Sequence, residues 1–295
     1  VNSIAAAAEP ESPVGLATRR ARLALLLAAV LWSLAGVFIK FLSLNPLTIV
    51  FYRSFFASLF FSFCRGKSAS LPPVALLVAI FSYAAAISTF VSANKLTTAA
   101  NAIVLQYTAP FFVFLAVHFF FREKIAGAQW GTLIAGMAGI AVIFAGSAGE
   151  PDAAGVVVAL FSGVLFSIYM VSLRFLKPVH PGTLTFVTNF ACCLMLLPLV
   201  WSHLALNLSD GLILAVMGVV QLGIPYWLFA RAVTMVSIQE ASLIVLIEPV
   251  LNPIWVALTV GEVPSAHTVL GGGLIVASLA VRYAWVTLNR SAGPG

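Results

Sequence analysis

The amino-acid sequence predicts an all-α polytopic membrane protein: ten transmembrane helices forming two inverted five-helix repeats, with both termini cytoplasmic. Three observations predict this: an apolar composition, a one-sided distribution of positive charge, and a duplicated proline–glutamate pattern. Of the 295 residues, 62% are hydrophobic and 8% are charged, whereas a soluble domain carries about 25% charged residues. Bilayer rules therefore replace the soluble-core argument. The three cysteines, Cys64, Cys192 and Cys193, all lie in apolar runs. They suggest ordinary membrane packing, with no disulfide framework and no metal site.

Taken in order, residues 1–20 form a tail rich in Ala, Glu, Pro and Ser, expected to be disordered. Arg19, Arg20 and Arg22 precede the first apolar run, 22–42. It is too long for the apolar core of a signal peptide and is read as a retained span. Further runs of membrane length fall at 46–64, 72–93, 97–121, 127–146, 154–175, 181–201, 211–230, 236–260 and 266–286. Breakers or charges mark the joints: Pro46, Arg65 and Lys67, Lys95, Glu123 and Lys124, Pro151, Pro178, Asp210, and Glu262 with Pro264. The first repeat is assigned to 21–146, a linker to 147–153, the second repeat to 154–286, and a C-terminal tail to 287–295.

The cations test the count. With the N-terminus in the cytoplasm, the inside receives Arg19, Arg20, Arg22, Arg65, Lys67, Arg122, Lys124, Arg174, Lys177, Arg231, Arg282 and Arg290. The outside receives Lys40 and Lys95, and Arg53 lies within a span. The net charge of +6 is thus a topology signal and gives no reason to expect a nucleic-acid partner.

The repeat is visible directly. Residues 45–55, NPLTIVFYRSF, match 180–190, HPGTLTFVTNF. The Pro-to-Glu segments 110–123 and 249–262 match at an offset of 139, aligning Pro110 with Pro249 and Glu123 with Glu262. Duplicated units of odd span number lie inverted in the membrane, a plan shared by many secondary transporters, with a site near the midplane. Gly127, Gly131, Ala135 and Gly139 recur at helical spacing, and Gly271, Gly272 and Gly273 mark the tenth span. Both stretches are expected to be close helix contacts.

No HExxH, GxSxG or Walker loop is present, and no paired acids stand at helical spacing inside the membrane, so the chain is not read as an enzyme. Neither a cofactor nor a metal is called for. The intramembrane polar residues are more informative. Glu248, followed by Pro249, stands near the middle of the ninth run, at a cost of about 2.5–3.5 kcal/mol. It is either a substrate-amine or proton site, or a protonated acid bonded to a neighbouring helix. Asn252 and Trp255 share its helical face. Asn101, Gln106 and Tyr107 mark the fourth span, and Gln221 and Tyr226 the eighth. Tyr83 marks the third, with Trp32 in the first and Phe166 and Tyr169 in the sixth. Together these residues predict a central cavity that is aromatic, polar and nearly uncharged. Pro110, Pro225 and Pro249 are candidate hinges. Arg53, about two turns inside its span, could pair with a substrate carboxylate, but is expected rather to snorkel outward or to bond helix-end carbonyls.

LIVLIEPVLNPIWVALTVGE, AANAIVLQYTAPFFVFLAVHFFFRE and FYRSFFASLFF resemble the ninth-, fourth- and second-span patterns of the EamA family, within the drug/metabolite transporter superfamily. Coverage is essentially 20–286. Within the family the chain looks most like YddG-type exporters of aromatic and other neutral amino acids. Tyr83 and Tyr107 fall where those exporters carry cavity tyrosines. Phe166 and Ala109 fall where they carry tryptophans, which favours smaller neutral amino acids. The resemblance implies a multi-pass protein of a bacterial inner membrane that works by alternating access.

The expected function is secondary export of neutral or aromatic amino acids or related small metabolites. The expected partners are that small molecule, membrane lipid and protons, and the protein is expected to act as a monomer. The alternatives are a broad-specificity drug or nucleotide-sugar exchanger of the same superfamily, or a channel or non-transporting scaffold.

Overall fold

Lipid offers no hydrogen-bond partners, so apolar runs of this length fold as helices that satisfy their own backbone. The computed structural model describes residues 13–68, 72–122, 127–147, 152–177 and 179–291. Among them every regular element is helical. Nine helical stretches are long and apolar enough to cross a membrane, and a shorter apolar helix, Pro46–Ser62, lies between the first two. Residues 1–12, Glu123, Lys124, Glu150, Pro151, Pro178 and 292–295 lie outside the described residues, and so do the readings placed on them.

Four of the stretches are interrupted. The first is α1 (Pro13–Ser33) followed by α2 (Ala35–Phe41). Two whole helices carry the chain onward, with a third behind the next break: α3 (Pro46–Ser62), α4 (Pro73–Leu96), then the broken pair α5 (Ala99–Gln106) and α6 (Ala109–Phe121), then α7 (Gly127–Ser147). Next come α8 (Ala153–Ser172) and α9 (Pro181–Val200). Then α10 (Leu208–Val216) widens into a π-helical segment, Met217–Gly223, before α11 (Ile224–Ala232). Last are α12 (Ile238–Val245), α13 (Glu248–Val260) and α14 (Ala266–Ser291).

Three interruptions have a proline at the restart. Pro110, Pro225 and Pro249 each sit in the first turn of the new helix, where the missing N–H does no harm. Each lacks the donor that would have reached the carbonyl four residues back. The break after Ser33 has no proline. Side chains from other helices hold it instead. Asn252 Nδ2 donates to the Ser33 carbonyl at 3.0 Å, Gln221 Nε2 to the Trp32 carbonyl at 3.1 Å, and Trp255 Nε1 to Ser33 Oγ at 3.0 Å. Gly36 lets Asn252 approach, since a Cβ there would stand 2.8 Å from Oδ1.

The stretches at the 139-residue offset repeat local detail. Thr98 caps α5 by accepting from Asn101 N, and Ser237 caps α12 by accepting from Glu240 N, both at 3.1 Å. The α5/α6 break falls at Tyr107 and Thr108, and the α12/α13 break at Leu246 and Ile247. Both stretches end in the left-handed region, at Arg122 (φ 54) and Gly261 (φ 75).

The helices pack in pairs: α3 along α9, α7 along α14, α4 on α8, and α1 on α11. The α7–α14 contact depends on small residues, at the Gly139 end of the expected stripe only. Gly127 and Gly131 have nothing within 4 Å. The crossing is at Gly139 and Gly271, where a Cβ on either would stand 2.5 or 2.4 Å from the other's carbonyl oxygen. Backbone cannot yield as a side chain can.

Gly139→Ala should therefore destabilise the fold by about 1–3 kcal/mol, while Gly131→Ala leaves it unchanged. Thermal unfolding of both variants in detergent checks this, and equal stability would refute the assigned crossing. By the same assay, Asn252→Leu should cost about 1–3 kcal/mol, because it strands the Ser33 carbonyl in a dry interior.

Candidate functional site

The four interrupted stretches meet in the middle of the bundle. The central contact joins the two proline breaks. Tyr107, the residue that closes α5 at the break, donates its hydroxyl to Glu248 Oε2 at 2.7 Å. The same hydroxyl lies 3.3 Å from the Val245 carbonyl, the one that Pro249 deprives of its helical donor. Glu248 is half-buried, in the first turn of α13. There its carboxylate adds to the favourable charge at a helix N-terminus.

Trp32 and Tyr226 form the aromatic wall. Their rings meet edge to face with centroids 5.0 Å apart, and Phe229 lies 5.6 Å from Trp32. Tyr226 is within electrostatic reach of Glu248 and Arg53 and also of Tyr83, Tyr107 and Tyr169. It is the residue common to the whole cluster. Beside it Tyr83 donates to Asn189 Oδ1 at 3.0 Å. The Tyr83 ring lies 5.3 Å from Tyr169, which lies 5.7 Å from Phe166. Gln221 ties the π-helical segment to Trp32 and keeps its Oε1 enclosed without a partner. Gln106 is half-buried at the end of α5, where Gly163 brings α8 against the break.

Asn101 stands apart from this cluster. Its Nδ2 donates to Thr97 Oγ1 at 2.9 Å and lies 3.4 Å from Asp152 Oδ2, and its Oδ1 accepts from Thr268 at 2.8 Å. These contacts belong to a polar network across the end of the bundle where α2 stops. Lys40 pairs with Glu262 at 2.5 Å and donates to the Thr97 carbonyl at 2.9 Å. Glu262 also accepts from Ala99 N at 2.7 Å, and Thr97 donates to Asp152 at 2.8 Å. Lys95 donates to the Leu42 carbonyl, so neither lysine is a free loop cation. The opposite end is open. A cavity of about 760 Å³ runs there from Arg65, His180 and Arg231 down to Tyr226. Arg231 lies over the Trp227 ring at 4.0 Å and Arg65 over Phe186 at 4.6 Å. A second groove, of about 570 Å³ between α4, α8 and α9, has aliphatic side chains, Met195, Phe81 and two serines on its walls and offers no charged group.

Arg53 corrects its sequence reading. It neither snorkels nor bonds helix-end carbonyls through the nitrogens that are enclosed. It is 5% exposed, and its Nε and Nη1 have no hydrogen-bond partner. Asn252 and Trp255 share a helical face with Glu248 but serve the Ser33 break instead. Asn189 gave no signal that could have singled it out, because its importance lies in the Tyr83 hydroxyl it receives from another helix.

The comparisons with known proteins agree with this architecture. The model of the EamA-like transporter family matches residues 19–145 and again 153–283. An uncharacterized transporter of Archaeoglobus fulgidus is 26% identical over 265 residues, covering 89% of this chain and 95% of that protein. The uncharacterized transporter YxxF of Bacillus subtilis is 23% identical over 87% of each chain. The pseudopaline exporter CntI of Pseudomonas aeruginosa is 32% identical over 181 residues, 60% of this chain and 63% of that protein. A solved crystal structure shares the fold with a TM-score of 0.64 at 19% identity, covering 90% of this chain and 97% of that one. The two family matches together span most of the sequence, and the protein belongs to the EamA-like transporter family.

Proposed function

We propose that this transporter is a secondary exporter of small zwitterionic metabolites, neutral amino acids foremost, working by alternating access in a bacterial inner membrane. In this reading ten spans form two inverted repeats, 21–146 and 154–286, with both termini cytoplasmic and one chain sufficient. Several observations support that frame: the double family match, the repeated caps and breaks, the pairing of α3 with α9 and of α7 with α14, and the one-sided cations.

The observation that carries the function is the Tyr107–Glu248 contact joining two broken helices beside the aromatic wall, with one end of the bundle open and the other tied shut. Buried ionisable residues in membrane spans mark substrate or ion pathways. Under the predicted orientation the open end faces the cytoplasm, where an exporter loads. Substrate enters past Arg65 and Arg231 and rests against Trp32 and Tyr226. Its amine, or a coupled proton, engages Glu248 in competition with Tyr107. Release requires the Lys40–Glu262 and Thr97–Asp152 contacts to part while the open end closes. Pro110, Pro225 and Pro249 supply the hinges, because each stands where the helical ladder is already interrupted. None of the relatives described above is named for amino-acid transport, so the substrate class rests on the chemistry of the cavity. A second reading, export of a larger secreted metabolite, is favoured by the likeness to the pseudopaline exporter.

The test is counterflow of a labelled neutral amino-acid panel in proteoliposomes, with and without a pH gradient. Saturable exchange is expected for at least one member, and ohmic currents would favour a channel instead. Glu248→Gln should lower exchange by about tenfold or more, equivalent to one charge-assisted hydrogen bond, and should abolish any response to the gradient. Normal transport by that variant at acidic and neutral pH would remove Glu248 from the mechanism. Tyr107→Ala should weaken exchange for every transported member, and an unchanged panel would remove Tyr107 from the cavity.

A further inference from the structure

Arg53 is the buried charge that the reading above leaves unused. It lies in α3, facing α9 and the π-helical segment. Its main chain is fixed by close packing, since a Cβ on Gly218 would stand 2.7 Å from the Arg53 carbonyl oxygen. The guanidinium is nearly excluded from solvent, and Nε and Nη1 find no acceptor. Among the described residues no acid lies within ion-pairing distance. Glu248 is within electrostatic reach, as are Tyr83, Tyr226 and Cys192, but the Glu248 carboxylate already receives the Tyr107 hydroxyl. An arginine carries only donors and stays charged, so burying it without a partner is costly. Membrane proteins keep such a residue where something pairs with it.

A second group has the same need. Trp32 Nε1, a donor only, is enclosed and unpartnered. Whatever satisfies both must bring acceptors and negative charge. Carboxylate and phosphate both do so with matched geometry, and carboxylate is the one that the zwitterionic substrate of the exporter reading carries. Gln221 Oε1 is the complementary case: an enclosed acceptor without a donor, its orientation fixed by the Nε2 bond to the Trp32 carbonyl. Unsatisfied donors at Arg53 and Trp32, an unsatisfied acceptor at Gln221 and the Glu248 carboxylate together form the complement of a zwitterion.

We infer that Arg53 is the subsite for the substrate carboxylate, with Trp32 Nε1 as its second donor, so that the transported class is defined by a free carboxylate next to an amine. This rests on the exporter reading and narrows it. Arg53 discriminates acids from their neutral derivatives, while the aromatic wall tolerates different side chains.

The probes are leucine, threonine, methionine and phenylalanine, each paired with its own amide, which keeps the amine and side chain but removes the negative charge. Binding is measured by ligand-induced thermal stabilisation in detergent, and exchange by counterflow in proteoliposomes. The wild-type protein should bind acids at least tenfold tighter than amides. Arg53→Gln should lose about tenfold or more for the acids and little for the amides, so the preference collapses, and Arg53→Lys should restore part of it. Equal losses for acids and amides in Arg53→Gln, or a retained preference, would overturn the assignment as a merely structural role. Should Arg53→Gln not fold, the wild-type comparison still decides. Equal binding of acids and amides removes the carboxylate subsite while leaving the exporter reading intact if both are transported. No counterflow for any compound overturns the exporter reading and this inference together.

Discussion

Every main-chain carbonyl released inside the bundle needs a donor, because the surrounding lipid has none. This constraint ties the architecture to the site. The carbonyls at the α1/α2 break are held by Gln221 and Asn252, and the Val245 carbonyl below Pro249 is approached by Tyr107. Each donor comes from a different stretch that is itself interrupted. The interruptions therefore stabilise one another, and they are also where polar side chains are brought to the centre. A straight helix in any of these places would hide its carbonyls within its own ladder, and the amides facing it would have nothing to bind.

The two ends of the bundle are held by different interactions. At the Lys40 end, ion pairing and helix capping converge on Glu262, which accepts from both the α5 N-terminus and a lysine of α2. The paired side chains are only partly buried, at 16% and 22% exposed, and such pairs contribute little net stability. They can form and part without large cost. At the other end cations lie over aromatic rings at the mouth of the cavity. These contacts leave the charges exposed.

The repeated backbone carries unlike chemistry in its two halves. The residue before Pro110 is Ala109, buried and apolar, and the residue before Pro249 is Glu248. Tyr107 then reaches across to the acid, whereas its counterpart Leu246 has no group with which to answer. A symmetric scaffold thus encloses an asymmetric site, with one acid, one buried guanidinium and aromatic residues between them.

Much of this was legible along the chain. The helical class followed from apolar length, the transporter family from the 139-residue proline–glutamate repeat, and the breaks at Pro110, Pro225 and Pro249 from the chemistry of proline itself. Tyr107, Glu248, Tyr226 and Trp32 could be singled out because polar or amphipathic groups at membrane depth are costly and conspicuous. The break after Ser33 was not legible, since nothing local causes it: Asn252 and Trp255, more than two hundred residues away, hold it open. The same holds for Asn101, drawn into the network at the bundle's end, while of the small residues expected at close contacts only the packing decided that Gly139 and Gly271 make the α7–α14 crossing. Arg53 differed most. Its distance from the end of its span suggested that it could reach water, and only the packing of α9 and the π-helical segment around it closed that route. Sequence determines what each helix can bury or expose to lipid. Which buried groups find partners, and which are left without one, is decided by neighbours distant in the chain.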